Sequence, residues 1–163
     1  MSLRGRRSLK PVLIAAAAAF AVASLGGLMT DIGPWYLALK QPPWKPPDWL
    51  FGPAWTLIYA SAATAGVQAW RRAPDAKQRD GMLVLFSANA CLNVLWSLLY
   101  FRLRRPDWAL YEVVFLWLSV LLLIVSLWRY SRASGLLLLP YLVWVAFAAA
   151  LNAATVRLNG PFT

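Results

Sequence analysis

The chain has 163 residues, 61% of them hydrophobic and only 13% charged, with ten tryptophans, one cysteine and no histidine. This composition points to a membrane domain rather than a soluble one, and the length fits a single domain over 1–163. Without histidine there is no serine–histidine catalysis, no histidine-ligated haem and no ordinary zinc site, and the lone Cys91 forms no intrachain disulfide or thiolate cluster. No metal and no cofactor are therefore expected.

The net charge of +10 sits in short clusters at the ends of apolar runs. Basic residues so placed meet lipid headgroups, so the lipid bilayer is the expected partner and nucleic acid is not. Five runs, 11–29, 49–70, 81–101, 108–128 and 135–156, carry no charge except Glu112 in the fourth. A helix needs about 20 residues to cross the hydrocarbon core and satisfies its own backbone, so the sequence predicts an all-α bundle of five transmembrane helices.

The first run follows Arg4, Arg6, Arg7 and Lys10 and contains Ala21-Val22-Ala23. A cleavable signal peptide has a similar look, but the uncharged stretch extends to Met29, longer than a usual signal core, and a span is the preferred reading. Gly26 and Gly27 near its end permit close helix approach. The connection after it is the long one. The 22 residues 34-PWYLALKQPPWKPPDWLFGPAW-55 hold four tryptophans and six prolines. Prolines fix φ and keep their neighbours extended, so this stretch is a stiff loop that loses little entropy on ordering. Stiffness of that kind suits a lid over a binding pocket better than a plain interfacial belt. Lys40 and Lys45 at its mouth are expected to contact headgroups.

Trp55 and Tyr59 share a face of the second predicted helix, where Ala62 and Gly66 offer a small-residue contact, inside the bundle or across a homodimer. In the third, Asn89, Asn93, Trp96 and Tyr100 recur at helical spacing and form one stripe. Amides in a bilayer turn toward the bundle interior, so this stripe faces inward. Cys91 reads as a small buried apolar residue. In the fourth, Glu112 lies close enough to the helix end to reach the interface. In the fifth, Tyr141, Trp144, Ala148 and Asn152 share a face. Three aromatic and polar stripes converging under the loop would make a largely apolar pocket with a few polar anchors. The N-terminus, 71–80 and 129–134 hold ten Lys and Arg against six in the other loops and the C-terminus, which puts the N-terminus in the cytoplasm and the tryptophan loop outside.

These residues carry a resemblance. Trp35-Tyr36, Pro43-Trp44-x-Pro46-Pro47-x-Trp49 and Phe51-Gly52-Pro53-x-Trp55-Thr56-x-x-Tyr59 resemble the signature of the TspO/MBR family, the tryptophan-rich sensory proteins of bacteria and the mitochondrial translocator protein. Asn93-x-x-Trp96-Ser97, Pro140-Tyr141-x-x-Trp144 and Leu151-Asn152 extend the match over about residues 11–160. The resemblance implies a five-helix membrane bundle, commonly dimeric, with the first loop folded over a pocket that takes porphyrins, notably protoporphyrin IX, or other flat apolar ligands. It implies pocket positions at Trp35, Trp44, Trp55, Asn89, Asn93, Trp144 and Ala148, and a place in a bacterial inner membrane. The fifth run ends 151-LNAATVR-157, without the tyrosine of the mammalian sterol motif, so specific sterol binding is not expected.

The expected function is a tetrapyrrole-binding sensor or translocator. Two alternatives stay open: light-dependent porphyrin degradation, for which Trp55 and Trp144 would be the reacting residues, and a non-catalytic membrane signalling partner. No acid–base pair or metal site in the sequence supports ordinary catalysis.

Overall fold

The computed structural model describes residues 8–162. Its elements in chain order are α1 (Lys10–Met29), a short α2 (Pro34–Ala38), α3 (Phe51–Arg72), α4 (Ala76–Ser97), α5 (Pro106–Trp128), a short α6 (Arg132–Leu137) and α7 (Leu139–Asn159), with no strand among the described residues. Four helical stretches, Lys10–Met29, Ala76–Arg102, Pro106–Trp128 and Arg132–Asn159, are long and apolar enough to cross a membrane. The run expected to span at 49–70 does form a helix of 22 residues, α3, but Thr56, Ser61, Thr64, Gln68, Arg71 and Arg72 make it more polar than the other four.

Local chemistry sets the boundaries. Prolines open α1, α2, α5 and α7 in the first turn, where the missing N–H removes no helical bond. The Asp75 carboxylate caps α4 by accepting from the Gln78 amide at 2.8 Å. That cap starts α4 at Ala76, ahead of the run expected from 81. The fifth run is broken at Leu138, between α6 and α7. Pro140 has no N–H to give the carbonyl four residues back, so the helix cannot run through. At its far end α4 widens into a π-turn, Leu98–Arg102, closed by Leu103 N–H to the Leu98 carbonyl at 2.9 Å. Arg104 follows with φ of 54°, the left-handed residue that reverses the chain toward Pro106.

α5 is the axis of the core. Its inner face, Ala109, Val113, Leu116, Val120, Leu123, Ile124 and Leu127, is buried, chiefly against α4 and α7. α1 packs on α3 and α4 but buries only Gly26. Gly66 of α3 is where Phe86 of α4 closes in: a Cβ there would lie 3.2 Å from that ring, so this small residue serves packing inside the chain.

Two expectations are corrected. Glu112 is 7% exposed and neither carboxylate oxygen has a hydrogen-bond partner. It falls on the face shared by Ala109, Val113 and Leu116, which turns it into the bundle instead of toward the interface. Cys91 is exposed, on the side of α4 opposite the buried Asn89 and Asn93.

Candidate functional site

Between α1, α3, α4 and α7, beneath the loop that precedes α3, lies a cavity of about 520 Å³. Its walls differ in kind. α1 supplies Ala23, Gly26, Gly27 and Thr30, all small. Opposite stand the rings of Phe51, Trp55 and Tyr59 from α3, Trp96 and Tyr100 from α4 and its π-turn, and Trp144 from α7. Trp55 stacks on Tyr59 with ring centres 5.3 Å apart and meets Trp144 edge-on at 6.4 Å. Phe51 closes on Trp144 at 5.6 Å. Offset and edge-to-face contacts of this kind hold rings in fixed orientations.

Polar groups reach the cavity through a buried network. The Tyr59 hydroxyl donates to Asn93 Oδ1 at 2.7 Å, and Asn93 Nδ2 donates to the Tyr141 hydroxyl at 3.1 Å. Tyr141 donates to Asn89 Oδ1 at 3.1 Å, and Asn89 Nδ2 donates to Ser119 of α5 at 2.8 Å. Nearby, Trp96 Nε1 donates to Asn152 Oδ1 at 3.4 Å, and Asn152 Nδ2 to the Pro106 carbonyl at 2.8 Å. These bonds satisfy amides that would otherwise be costly inside a bilayer.

The loop is tied down at three places. The Tyr36 hydroxyl donates to Asp48 Oδ1 at 3.0 Å, and the Lys45 ammonium bonds the same oxygen while lying over the Tyr36 ring. Burial first, and the neighbouring Asp48 charge second, push the Tyr36 hydroxyl well above the ordinary tyrosine range. Trp35 packs edge-on against Tyr100 of the π-turn, with Arg104 over its ring at 5.9 Å. The Asn159 side chain at the end of α7 accepts from the Lys40 N–H at 2.8 Å and donates to the Lys40 carbonyl at 2.9 Å.

Of the residues singled out in the sequence, Trp55, Asn93, Trp144 and Ala148 line the cavity. Trp35 and Trp44 do not. Trp35 faces Tyr100, and Trp44, 50% exposed, rests its edge on Phe147. Asn89 lies one helical turn deeper than Asn93, buried between Tyr141 and Ser119. Lys45 pairs with Asp48 within the loop. Thr30, Ile32 and Asp48 are wall residues that sequence reasoning passed over. Asp48 had a signal: it is the one acid in the proline stretch, three residues after Lys45.

The TspO/MBR family profile matches residues 13–158. The chain belongs to the TspO/MBR family. It is 40% identical to Tryptophan-rich protein TspO from Archaeoglobus fulgidus over 144 residues, 87% of this chain and 92% of that one. It is 35% identical to Protein CrtK from Rhodobacter capsulatus, over 86% of this chain and 88% of that one. With Translocator protein from Sus scrofa the identity is 32%, over 85% and 86%. Family membership and four helices able to cross a membrane make this an integral membrane protein.

Proposed function

We propose that this TspO/MBR protein crosses the membrane five times as one domain and binds a flat, largely apolar ligand of the tetrapyrrole class, such as protoporphyrin IX, as a sensor or translocator. The observation that carries the reading is the cavity under the loop. Its volume of about 520 Å³ falls within the range of roughly 300–1,000 Å³ typical of small-molecule sites. Oriented rings on one side and small residues on the other suit a plate-shaped guest. Trp55, Asn93, Trp144 and Ala148 are the proposed contacts. Trp35 and Trp44 act from the loop as its anchors and Asn89 as the anchor of Asn93. The loop is the lid. The excess of Lys and Arg on the N-terminal side supports a cytoplasmic N-terminus, in the proposed setting of a bacterial inner membrane. α3 fits as the fifth crossing because it is as long as its neighbours and turns Ile58, Ala65 and Ala69 into the bundle.

The test is a protoporphyrin IX titration of the protein in detergent, in the dark, followed by tryptophan quenching. The expected result is saturable quenching that weakens in the Trp55→Phe/Trp144→Phe double variant. Linear quenching, equal in both proteins, would mean partition into the detergent and would remove the proposal.

A further inference from the structure

The hydrogen bonds behind the cavity all run the same way, and their direction is fixed by groups that can only accept. The Ser119 hydroxyl lies 2.7 Å from the Leu116 carbonyl oxygen. Two oxygens that close need a proton between them, and only Ser119 has one to give. Ser119 must therefore accept from Asn89, which turns the Asn89 amide nitrogen toward α5 and its oxygen toward Tyr141. Tyr141 then donates to Asn89 and accepts from the Asn93 amide. That leaves Asn93 Oδ1 facing Tyr59, whose hydroxyl must donate to it. The chain begins at the cavity and ends at a backbone carbonyl, and the Tyr59 proton is committed to the protein.

A second and a third chain repeat the pattern. Trp96 Nε1 donates to Asn152 Oδ1, whose amide nitrogen is held by the Pro106 carbonyl. The Tyr100 hydroxyl donates to Thr155 Oγ1 at 3.3 Å, and Thr155 donates to the Leu151 carbonyl at 3.0 Å. Thr30 and Thr56 give their protons to the carbonyls of Gly26 and Gly52. The Tyr36 proton goes to Asp48. The hydroxyl protons of Tyr59, Tyr100, Thr30, Thr56 and Tyr36 and the indole proton of Trp96 are thus all directed to protein acceptors.

We infer that the Tyr59 end of the cavity is a hydrogen-bond acceptor that selects ligands presenting an N–H or O–H donor there and rejects those presenting a carbonyl or carboxylate oxygen. Tyr59 is the specificity-determining residue and Asn93 its positioning residue. The inference rests on the cavity being the ligand site, as proposed above, and specifies which end chemistry that site takes. An acceptor brought against the Tyr59 oxygen would set lone pair against lone pair. A macrocycle carrying carboxylates would hold them away from this end. Among the described residues, Trp55 and Trp144 keep their indole N–H groups and Ser97 its hydroxyl without a protein acceptor, so the selection concerns the part of a ligand that reaches Tyr59, Trp96 and Tyr100.

Three flat tricyclic probes of one shape separate the polarity from the cavity: carbazole, with N–H at the bridge, fluorene, with CH2, and 9-fluorenone, with C=O. Each is titrated into the detergent-solubilised full chain by calorimetry. In the wild type the order is carbazole, then fluorene, then fluorenone, with carbazole about three- to tenfold tighter than fluorenone, the worth of one neutral hydrogen bond. In Asn93→Leu the Tyr59 hydroxyl loses its acceptor and turns to donate into the cavity, so fluorenone overtakes fluorene. Fluorenone equal to or tighter than carbazole in the wild type would overturn the inference while leaving the cavity reading intact. An unchanged order in a folded Asn93→Leu variant would overturn Tyr59 as the selecting group. Absence of saturable fluorene binding to the wild type would overturn the cavity reading itself, and the inference with it. The wild-type order stands as a test even where the variant fails to fold.

Discussion

Glu112 gives the sharpest stability prediction. Its carboxyl is 7% exposed and both oxygens lack a partner. It lies on the α5 face that carries the core residues Val113, Leu116 and Val120. A buried polar group left unsatisfied costs about 1–3 kcal/mol, and Glu112→Leu removes that cost while keeping an apolar side chain in the space. For a domain of this size each kcal/mol moves the melting temperature by about 2–4 °C, so Glu112→Leu is expected to raise it by about 2–12 °C. Glu112→Gln, which keeps two equally unpartnered polar atoms, is expected to change it by less than about 3 °C. The assay is thermal unfolding in one detergent, followed by tryptophan fluorescence. Ligand affinity is measured on the same samples and is expected to be unchanged, since Glu112 is not in the cavity wall. A fall in melting temperature for Glu112→Leu would refute the reasoning, because it would show that the carboxyl makes interactions the fold depends on.

Three further outcomes follow from the site. A Cβ on Gly27 meets nothing within 4 Å, so Gly27→Phe should place its ring in the cavity without disturbing the fold; it is expected to lower protoporphyrin IX affinity at least about tenfold in the quenching titration, at an unchanged melting temperature. Asn159→Ala removes two bonds to the Lys40 backbone, worth about 1–3 kcal/mol together, and should speed amide exchange across 34–50 while leaving α5 unchanged by mass spectrometry. The Tyr36 hydroxyl is raised above its unfolded value, so its contribution to loop stability is fully present below about pH 10 and is lost as pH rises beyond it. In an alkaline titration at 295 nm the number of late-ionising phenols should fall by one in Tyr36→Phe relative to the wild type.

The helices were legible because a bilayer leaves the chain little choice: charge-free runs of spanning length become helices. The ends were less so. The run at 81–101 stops short of Lys77, Arg79 and Asp80, yet α4 begins at Ala76 because the Asp75 cap, and not apolarity, starts it. The site was legible as stripes, since Asn93 and Trp96 on α4, Tyr100 in its π-turn, and Trp144 and Ala148 on α7 face one cavity as their spacing implies. Spacing does not tell how deep along a stripe the cavity reaches, and Asn89 falls one turn beyond it. Nor does it tell where a loop tryptophan turns. Trp35 is held by Tyr100 and Arg104 and Trp44 by Phe147, partners distant in sequence. Glu112 was misplaced because nearness to the helix end was weighed above helical phase, and phase decides which way a side chain leaves the helix.

The cavity exists because the two sides of the bundle are built from residues of different size. α5 buries nine residues and sets α4 and α7 against each other, and the buried hydrogen bonds from Asn89 and Asn152 cross these same three helices. That half has few ways to rearrange without leaving amides unpaired in an apolar medium. α1 buries Gly26 alone and faces the aromatic wall with Ala23, Gly26 and Gly27, none of which can fill the space before it. Large side chains on α1 would close the cavity, and small ones on α3 or α7 would strip it of its rings. The space and its orientation therefore come from different helices: α1 keeps the volume empty, while the hydrogen-bonded half fixes the rings and the Tyr59 oxygen that a guest would meet.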